Sequence, residues 1–133
     1  IKDTPLDFTH AQTIGSRITD SFPHHLFQGK GYVVSYVLNE PAQTLSLAAT
    51  VVAKESGRVM QVYTDQPGLQ FYSGWLFDGS DTGKNRQRYT NSSGLALEAQ
   101  GFPDAPNHPA FPSIVLQPDE VYRQTTVYRF LIE

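Results

Sequence analysis

The sequence predicts an all-β fold, either a sandwich or a barrel. Its apolar segments show the two-residue alternation, or the β-branched and aromatic enrichment, that is typical of strands. Clusters of Gly, Pro, Asn and Asp separate these segments, as in DGSDTGKN at 78–85. Helical periodicity is almost absent. The pattern therefore indicates short strands joined by turns.

Seven strands are predicted in chain order. Residues 31–39, GYVVSYVLN, are apolar on both faces, with Val33 and Val37 on one of them, which indicates a buried strand. Residues 44–53 and 59–64 flank the turn sequence ESGR and are expected to form a hairpin. The other strands are predicted at 69–77, 93–100, 113–116 and 125–133.

The chain is expected to form a single domain over residues 1–133, because 39% hydrophobic and 12% aromatic residues suffice for one core. Residues 1–30 have little alternation and many turn formers, so they are predicted to be mostly loop, and residues 31–133 to carry the strands. Long ordered loops in compact domains are usually functional or pack against another segment. We therefore expect a further segment before Ile1.

Charge and cysteine content exclude several classes of function. The net charge is −3 and the ten Lys and Arg residues are scattered, which argues against a nucleic-acid or anionic-membrane partner. With no cysteine, the chain has no disulfide scaffold, thiolate nucleophile or cysteine-bound metal. The four histidines show no metal-site spacing, so no metal site is predicted. The sequence also lacks a G-x-S-x-G elbow, a P-loop and a G-x-G-x-x-G motif.

One carboxylate interrupts a predicted strand. In an extended segment Glu98 shares a face with Ala96 and Gln100, opposite Leu97 and Ala99. Spacing alone favours a solvated surface glutamate. The alternative is a general base that lines one side of a sheet.

A second set of candidate polar side chains lies in QPGLQFYSG at 66–74. Gln66 and Gln70 flank a Pro-Gly turn, and Gln70 enters a strand beside Phe71 and Tyr72. Amides pair with hydroxyl groups and aromatic rings cover sugar C–H faces, so this composition suits a neutral polyol. The pattern by itself is a weak signal.

The stretches RVMQVYTDQPGLQFYSG at 58–74 and SGLALEAQGFPDAPNHPAFPSIVLQPDEVYRQTTVYRF at 93–130 closely resemble the carboxy-terminal part of the aldose 1-epimerases, the galactose mutarotases. TPLDF at 4–8 and IGSRI at 14–18 resemble the family's upstream loop. These ordered motifs cover essentially the whole chain. The resemblance implies a large β-sandwich of galactose mutarotase type, of which this chain supplies the carboxy-terminal portion.

The resemblance also implies an isomerase of carbohydrate metabolism. Its substrate is a free aldose whose α and β anomers are interconverted by acid and base catalysis of ring opening, without a cofactor. Glu98 aligns with the family's catalytic base and Gln70 with a glutamine that binds sugar hydroxyls, while Tyr72 and Trp75 are expected to line the same sugar site. Burial of Glu98 among apolar neighbours is expected to suit it to proton transfer.

The sequence departs from the family at two positions. Val33 stands where the family has an aspartate that binds the sugar, and Trp75 where it usually has an asparagine. Losing a charged hydrogen bond costs roughly 1.5 to 3 kcal/mol. The family's acid histidine lies outside these residues, so an amino-terminal chain or fragment of the same protein is the expected partner.

Three hypotheses follow. The first is a mutarotase completed by that amino-terminal segment. The second is a mutarotase-fold enzyme with an altered, non-hexose substrate, and the third is a carbohydrate-binding remnant without turnover. A phosphosugar is a less favourable substrate because the nearby Arg86 and Arg88 lie in a turn-rich loop. The sequence leaves the compartment open between the cytoplasm, which family members often occupy, and secretion.

Overall fold

The structure is a computed structural model that describes residues 1–18, 30–40 and 42–132. Six strands make up its regular structure, together with short 3-10 turns. The strands are β1 (Val33–Val37), β2 (Ser46–Ala53), β3 (Arg58–Thr64), β4 (Gly68–Tyr72), β5 (Ala96–Gln100) and β6 (Thr126–Ile132). The 3-10 turns span Ile14–Arg17, Lys84–Arg86 and Ala105–Asn107. The prediction of an all-β chain is confirmed, and no described helix is long and apolar enough to cross a bilayer.

The strands form two three-stranded sheets, with strand orders β1-β4-β5 and β2-β3-β6. The chain divides into two compact units. Unit 1 comprises Ile1–Val34 and Gln70–Leu97, and unit 2 comprises Ser35–Leu69 and Glu98–Glu133. The single domain over 1–133 stays a prediction.

The predicted strand at 113–116 is wrong. These residues are exposed and adopt no regular secondary structure. The Val115 N–H donates to Ser113 Oγ (3.2 Å) instead of to a strand partner. Pro112 and Pro118 flank the segment and carry no N–H to donate to a ladder.

Strands β1, β2, β4 and β5 are shorter than predicted, and turns account for the difference at β4 and β5. The segment predicted as 69–77 ends at Tyr72, because Gly74 takes a left-handed φ of 72° and its carbonyl accepts from the Phe77 N–H. The segment predicted as 93–100 begins at Ala96, because Ser93 closes a turn by donating its N–H to Thr90.

The prediction that strand β1 is buried is wrong for one of its two faces. Val33 is 43% exposed and Val37 is 71% exposed, whereas Tyr32, just before the strand, is fully buried. The alternation along β1 therefore separates one covered face from one open face.

Aromatic rings form the core of unit 1. Phe8, from the amino-terminal loop, meets the Tyr32 ring edge-on at 5.3 Å and the Phe71 ring at 5.9 Å. Tyr32 and Phe71 stack on each other at 5.4 Å. Burial raises the pKa of the Tyr32 phenol. Residues 1–18 contain one short 3-10 turn, and these contacts fix them to the strands. Residues 19–29 of the loop predicted over 1–30 lie outside the described residues, so that prediction stays untested.

Arg17 ties the two upstream motifs together. Its guanidinium donates to the carbonyls of Thr4 and Asp7 and lies 5.4 Å from the Phe8 ring centroid. The Asp7 carboxylate accepts from the N–H and hydroxyl of Thr9, which lowers the pKa of Asp7. The IGSRI turn thereby holds the TPLDF loop in one conformation.

Strand β3 is the centre of the sheet in unit 2. It pairs antiparallel with β2 and with β6, and a β-bulge interrupts the β2 pairing between Leu47 and Ala49. Val59, Val62 and Thr64 of β3 are buried. The predicted hairpin of β2 and β3 is confirmed. Asp65, just beyond β3, accepts the Thr125 N–H (2.9 Å) and so anchors the approach to β6.

Candidate active site

Strand β4 presents one polar and one apolar face. Leu69 and Phe71 are buried, at 4% and 7% exposure, whereas Gln70 and Tyr72 alternate with them and are only half-buried. The Tyr72 hydroxyl accepts the Leu76 N–H (2.9 Å), which holds its ring over the turn that follows β4. Gln70 and Tyr72 therefore point to the same side of the sheet.

Val33 lies opposite Tyr72 across the β1-β4 pair. The Ser73 N–H donates to the Tyr32 carbonyl (3.1 Å), and the Leu38 N–H donates to the Pro67 carbonyl (2.9 Å). These two bonds define an antiparallel register that places Val33 and Tyr72 as directly opposed residues. Directly opposed residues project to the same face, so Val33 joins Gln70 and Tyr72 on the less covered side of β4.

Trp75 sits in the turn after β4. It is half-buried, and its carbonyl accepts from Asn91 Nδ2 (2.8 Å). Its ring packs against Gly31, where an added Cβ would come within 2.8 Å of Trp75 Cδ1. The Lys30 ammonium lies 5.9 Å from the Trp75 ring centroid. The indole is thus fixed by backbone contact and by a cation above its face.

Glu98 lies at the middle of β5 and is exposed, so its expected burial among apolar neighbours is wrong for this structure. Among the described residues its carboxylate has no hydrogen bond or ion pair. An exposed, unpaired carboxylate can accept a proton from a bound ligand without first losing an internal partner.

The loop after Glu98 is held by its own contacts, within unit 2. Phe111 packs edge-on against Phe102 at 5.2 Å, and His108 lies 3.1 Å from the Asp104 carboxylate. Gln124 Nε2 donates to the Ala99 carbonyl (3.2 Å), next to Glu98 in the chain. These contacts and the prolines of the loop restrict the backbone at the end of β5.

The predicted site residues fall in both units. Val33, Gln70, Tyr72 and Trp75 belong to unit 1, where Val33 and Tyr72 are brought together. Glu98 belongs to unit 2. Over residues 1–18, 30–40 and 42–132, no group of three or more His, Asp or Glu side chains could hold a metal ion.

A cavity in unit 1 was not predicted from the sequence. It measures about 330 Å³. Its described lining consists of Ile14, Gly15, Ile18, Ser73, Ser92, Ser93, Gly94 and Leu95. The IGSRI motif supplies one wall, and that motif was the signal available in the sequence.

Comparison with known proteins agrees with this fold and with these motifs. The sequence profile of the aldose 1-epimerases matches residues 1–129. Galactose mutarotase of Mus musculus is 36% identical over 132 residues, which is 99% of this chain and 36% of that protein. Aldose 1-epimerase of Escherichia coli is 35% identical over 136 residues, which is 100% of this chain and 38% of that protein.

A crystal structure of a GalM/aldose epimerase homologue from C. elegans superimposes with a TM-score of 0.79 at 25% identity. The match covers 98% of this chain and 38% of that one. The chain therefore spans a little over a third of the length of the relatives that it matches. With a family match over almost all of its residues, the chain belongs to the aldose 1-epimerase family.

Proposed function

We propose that this chain is part of an enzyme that interconverts the α and β anomers of a free aldose. Glu98 is the base, and Gln70 binds sugar hydroxyls through its amide. The observation that carries the proposal is the family match over residues 1–129, within which Glu98 lies on β5 with its side chain exposed. Family membership and the half-buried Gln70 amide on β4 support it.

The proposed reaction requires one base and one acid. The Glu98 carboxylate takes the proton from the anomeric hydroxyl while an acid protonates the ring oxygen. The bond between C1 and the ring oxygen breaks as the C1 carbonyl forms. Rotation about the C1–C2 bond exposes the other face of the carbonyl, and reclosure returns both protons. Atoms and electrons balance without a cofactor.

The acid in this proposal comes from an amino-terminal segment of the same protein. Support comes from the length comparison, since the chain spans 36% of the mouse relative, and from apolar side chains that remain exposed in unit 2. Phe130 is 73% exposed and Ile132 is 84% exposed, both on β6. Apolar surface of this kind is usually covered by another segment.

Polarimetry on the protein expressed from its complete coding sequence tests the proposal. Freshly dissolved α-D-galactose or α-D-glucose should approach its equilibrium rotation faster with the protein than in buffer alone. Buffer rates unchanged by the protein, despite sugar binding by calorimetry, would instead identify a carbohydrate-binding remnant. Intact-mass analysis of the same sample tests whether the protein contains the proposed amino-terminal segment. A folded, active, monomeric 133-residue species would refute the need for that segment.

A further inference from the structure

An apolar surface lies next to the proposed sugar contact of Gln70, within unit 1. Val33 is 43% exposed and opposes Tyr72 across the β1-β4 pair. This is a non-hydrogen-bonded position of the antiparallel ladder, where side chains approach most closely, with Cα atoms ~4.5 Å apart. The side chains of Val33 and Tyr72 therefore leave the sheet next to each other on the same face.

The polar and apolar parts of this surface are separate. Gln70 carries both donors and acceptors, whereas Val33 has neither. The Tyr72 hydroxyl already accepts the Leu76 N–H (2.9 Å), and Leu76 itself is 67% exposed. A ligand that reaches from Gln70 towards Val33 therefore passes from an amide to methyl groups and an aromatic ring.

This division selects among sugars. A hydroxyl group whose contact with Val33 displaces its water finds no donor or acceptor on that side chain, which is unfavourable. A methylene or methyl group in the same place is desolvated favourably. We infer, on the basis of the proposed function, that the preferred substrate is a deoxy-aldose, whose missing hydroxyl would have faced Val33.

Anomerisation rates for matched sugars test this inference. The panel comprises D-glucose and D-galactose with their 2-, 3-, 4- and 6-deoxy counterparts, assayed with the protein expressed from its complete coding sequence. For the deoxy position that faces Val33, we expect kcat/KM to exceed that of the parent sugar by about 10- to 100-fold. Each rate is corrected for the uncatalysed rate of the same sugar, because deoxygenation changes that rate.

Variants at Val33 assign the preference to this side chain. Val33→Thr keeps the β-branched shape and adds one hydroxyl, and Val33→Asp adds a charged acceptor. Both should reduce the preference for the deoxy sugar by about tenfold or more. Val37→Thr is the matched control, because Val37 shares the exposed face of β1 and is 71% exposed. It should leave the preference unchanged.

Sugar binding, measured by calorimetry on the same variants, separates recognition from turnover. A tighter Kd for the deoxy sugar that weakens in Val33→Thr but not in Val37→Thr supports the inference. The inference is overturned if the parent sugars have kcat/KM values as high as those of every deoxy sugar, or if both Val33 variants keep the preference. Either result leaves the proposed function intact. Anomerisation of no sugar in the panel would overturn both.

Discussion

At the scale of single residues, Asp65 links stability to pH. Its carboxylate accepts the Thr125 N–H (2.9 Å), and this bond lowers the pKa of Asp65. An unfolded aspartate titrates near ~3.9. A carboxyl with a lowered folded-state pKa stabilises the fold above that value, and the contribution is lost as the pH falls through the folded-state pKa.

Asp65→Asn should therefore remove a pH-dependent part of the stability. We expect a loss of about 1 kcal/mol or less at pH 7, since the carboxylate is partly exposed and screened by solvent. Urea unfolding at a series of pH values from 7 to 3 measures this. The wild type should lose stability more steeply than the variant below pH 4. Parallel curves would show that the Thr125 bond does not stabilise the charged form.

The candidate site residues show which structural features can be predicted from a sequence and which cannot. Gln70 and Tyr72 were predicted on one strand, and in the structure they share a face of β4 because extended backbone alternates its side chains. The expected burial of Glu98 was wrong, because burial depends on which segments cover a strand. The opposition of Val33 and Tyr72 depends on the pairing register, which residue patterns within one strand do not define.

At the scale of elements, the turn after β4 depends on a glycine. Gly74 has a φ of 72°, and a Cβ there would clash with the Gly94 carbonyl oxygen. Gly94 is the matched control, because an added Cβ meets nothing within 4 Å. The two glycines lie in the same unit. Comparing them separates the steric effect of a Cβ at Gly74 from the effect of replacing any glycine by alanine.

Gly74→Ala should destabilise the protein by about 2 to 4 kcal/mol, through both the left-handed backbone and the clash. Gly94→Ala should change stability by less than about 1 kcal/mol. Thermal unfolding of both variants beside the wild type measures the difference. Equal effects of the two substitutions would mean that the turn is not constrained as the structure shows.

Strand prediction succeeded where the pattern was long and failed where tertiary context decided. The segments that became β2, β3 and β6 were predicted over six or more residues with many β-branched or aromatic side chains, and all three form strands. SIVL at 113–116 has equally β-prone residues but is flanked by prolines and finds no partner strand. Propensity alone therefore identified an element that the chain does not form.

At the scale of the whole molecule, the apolar side chains of β6 predict self-association of the isolated 133-residue chain. Phe130 pairs with Met60, and Ile132 with Arg58, across the β3-β6 ladder. Phe130→Thr should lower the associated fraction at a given concentration, because it removes an aromatic ring that is 73% exposed while keeping β propensity.

Sedimentation velocity on the isolated chain measures that association. Val121→Thr is the control, because Val121 is 75% exposed but lies outside the strands. We expect Phe130→Thr to shift the chain towards monomer and Val121→Thr to leave its distribution unchanged. A monomeric wild-type chain would refute the idea that another segment of the protein covers the exposed side chains of β6.

Loss of anomerisation in Glu98→Gln is the most direct test of the account, because the amide keeps the shape of the side chain but cannot accept the proton. Polarimetry on fresh α-D-galactose, with the most active sugar of the panel alongside, should show the catalysed rate fall by about 10²- to 10⁴-fold while sugar binding is retained. Glu55→Gln, an exposed glutamate in the β2–β3 turn, should keep the full rate. A Glu98→Gln protein that anomerises sugars at the wild-type rate would contradict the assignment of Glu98 as the base.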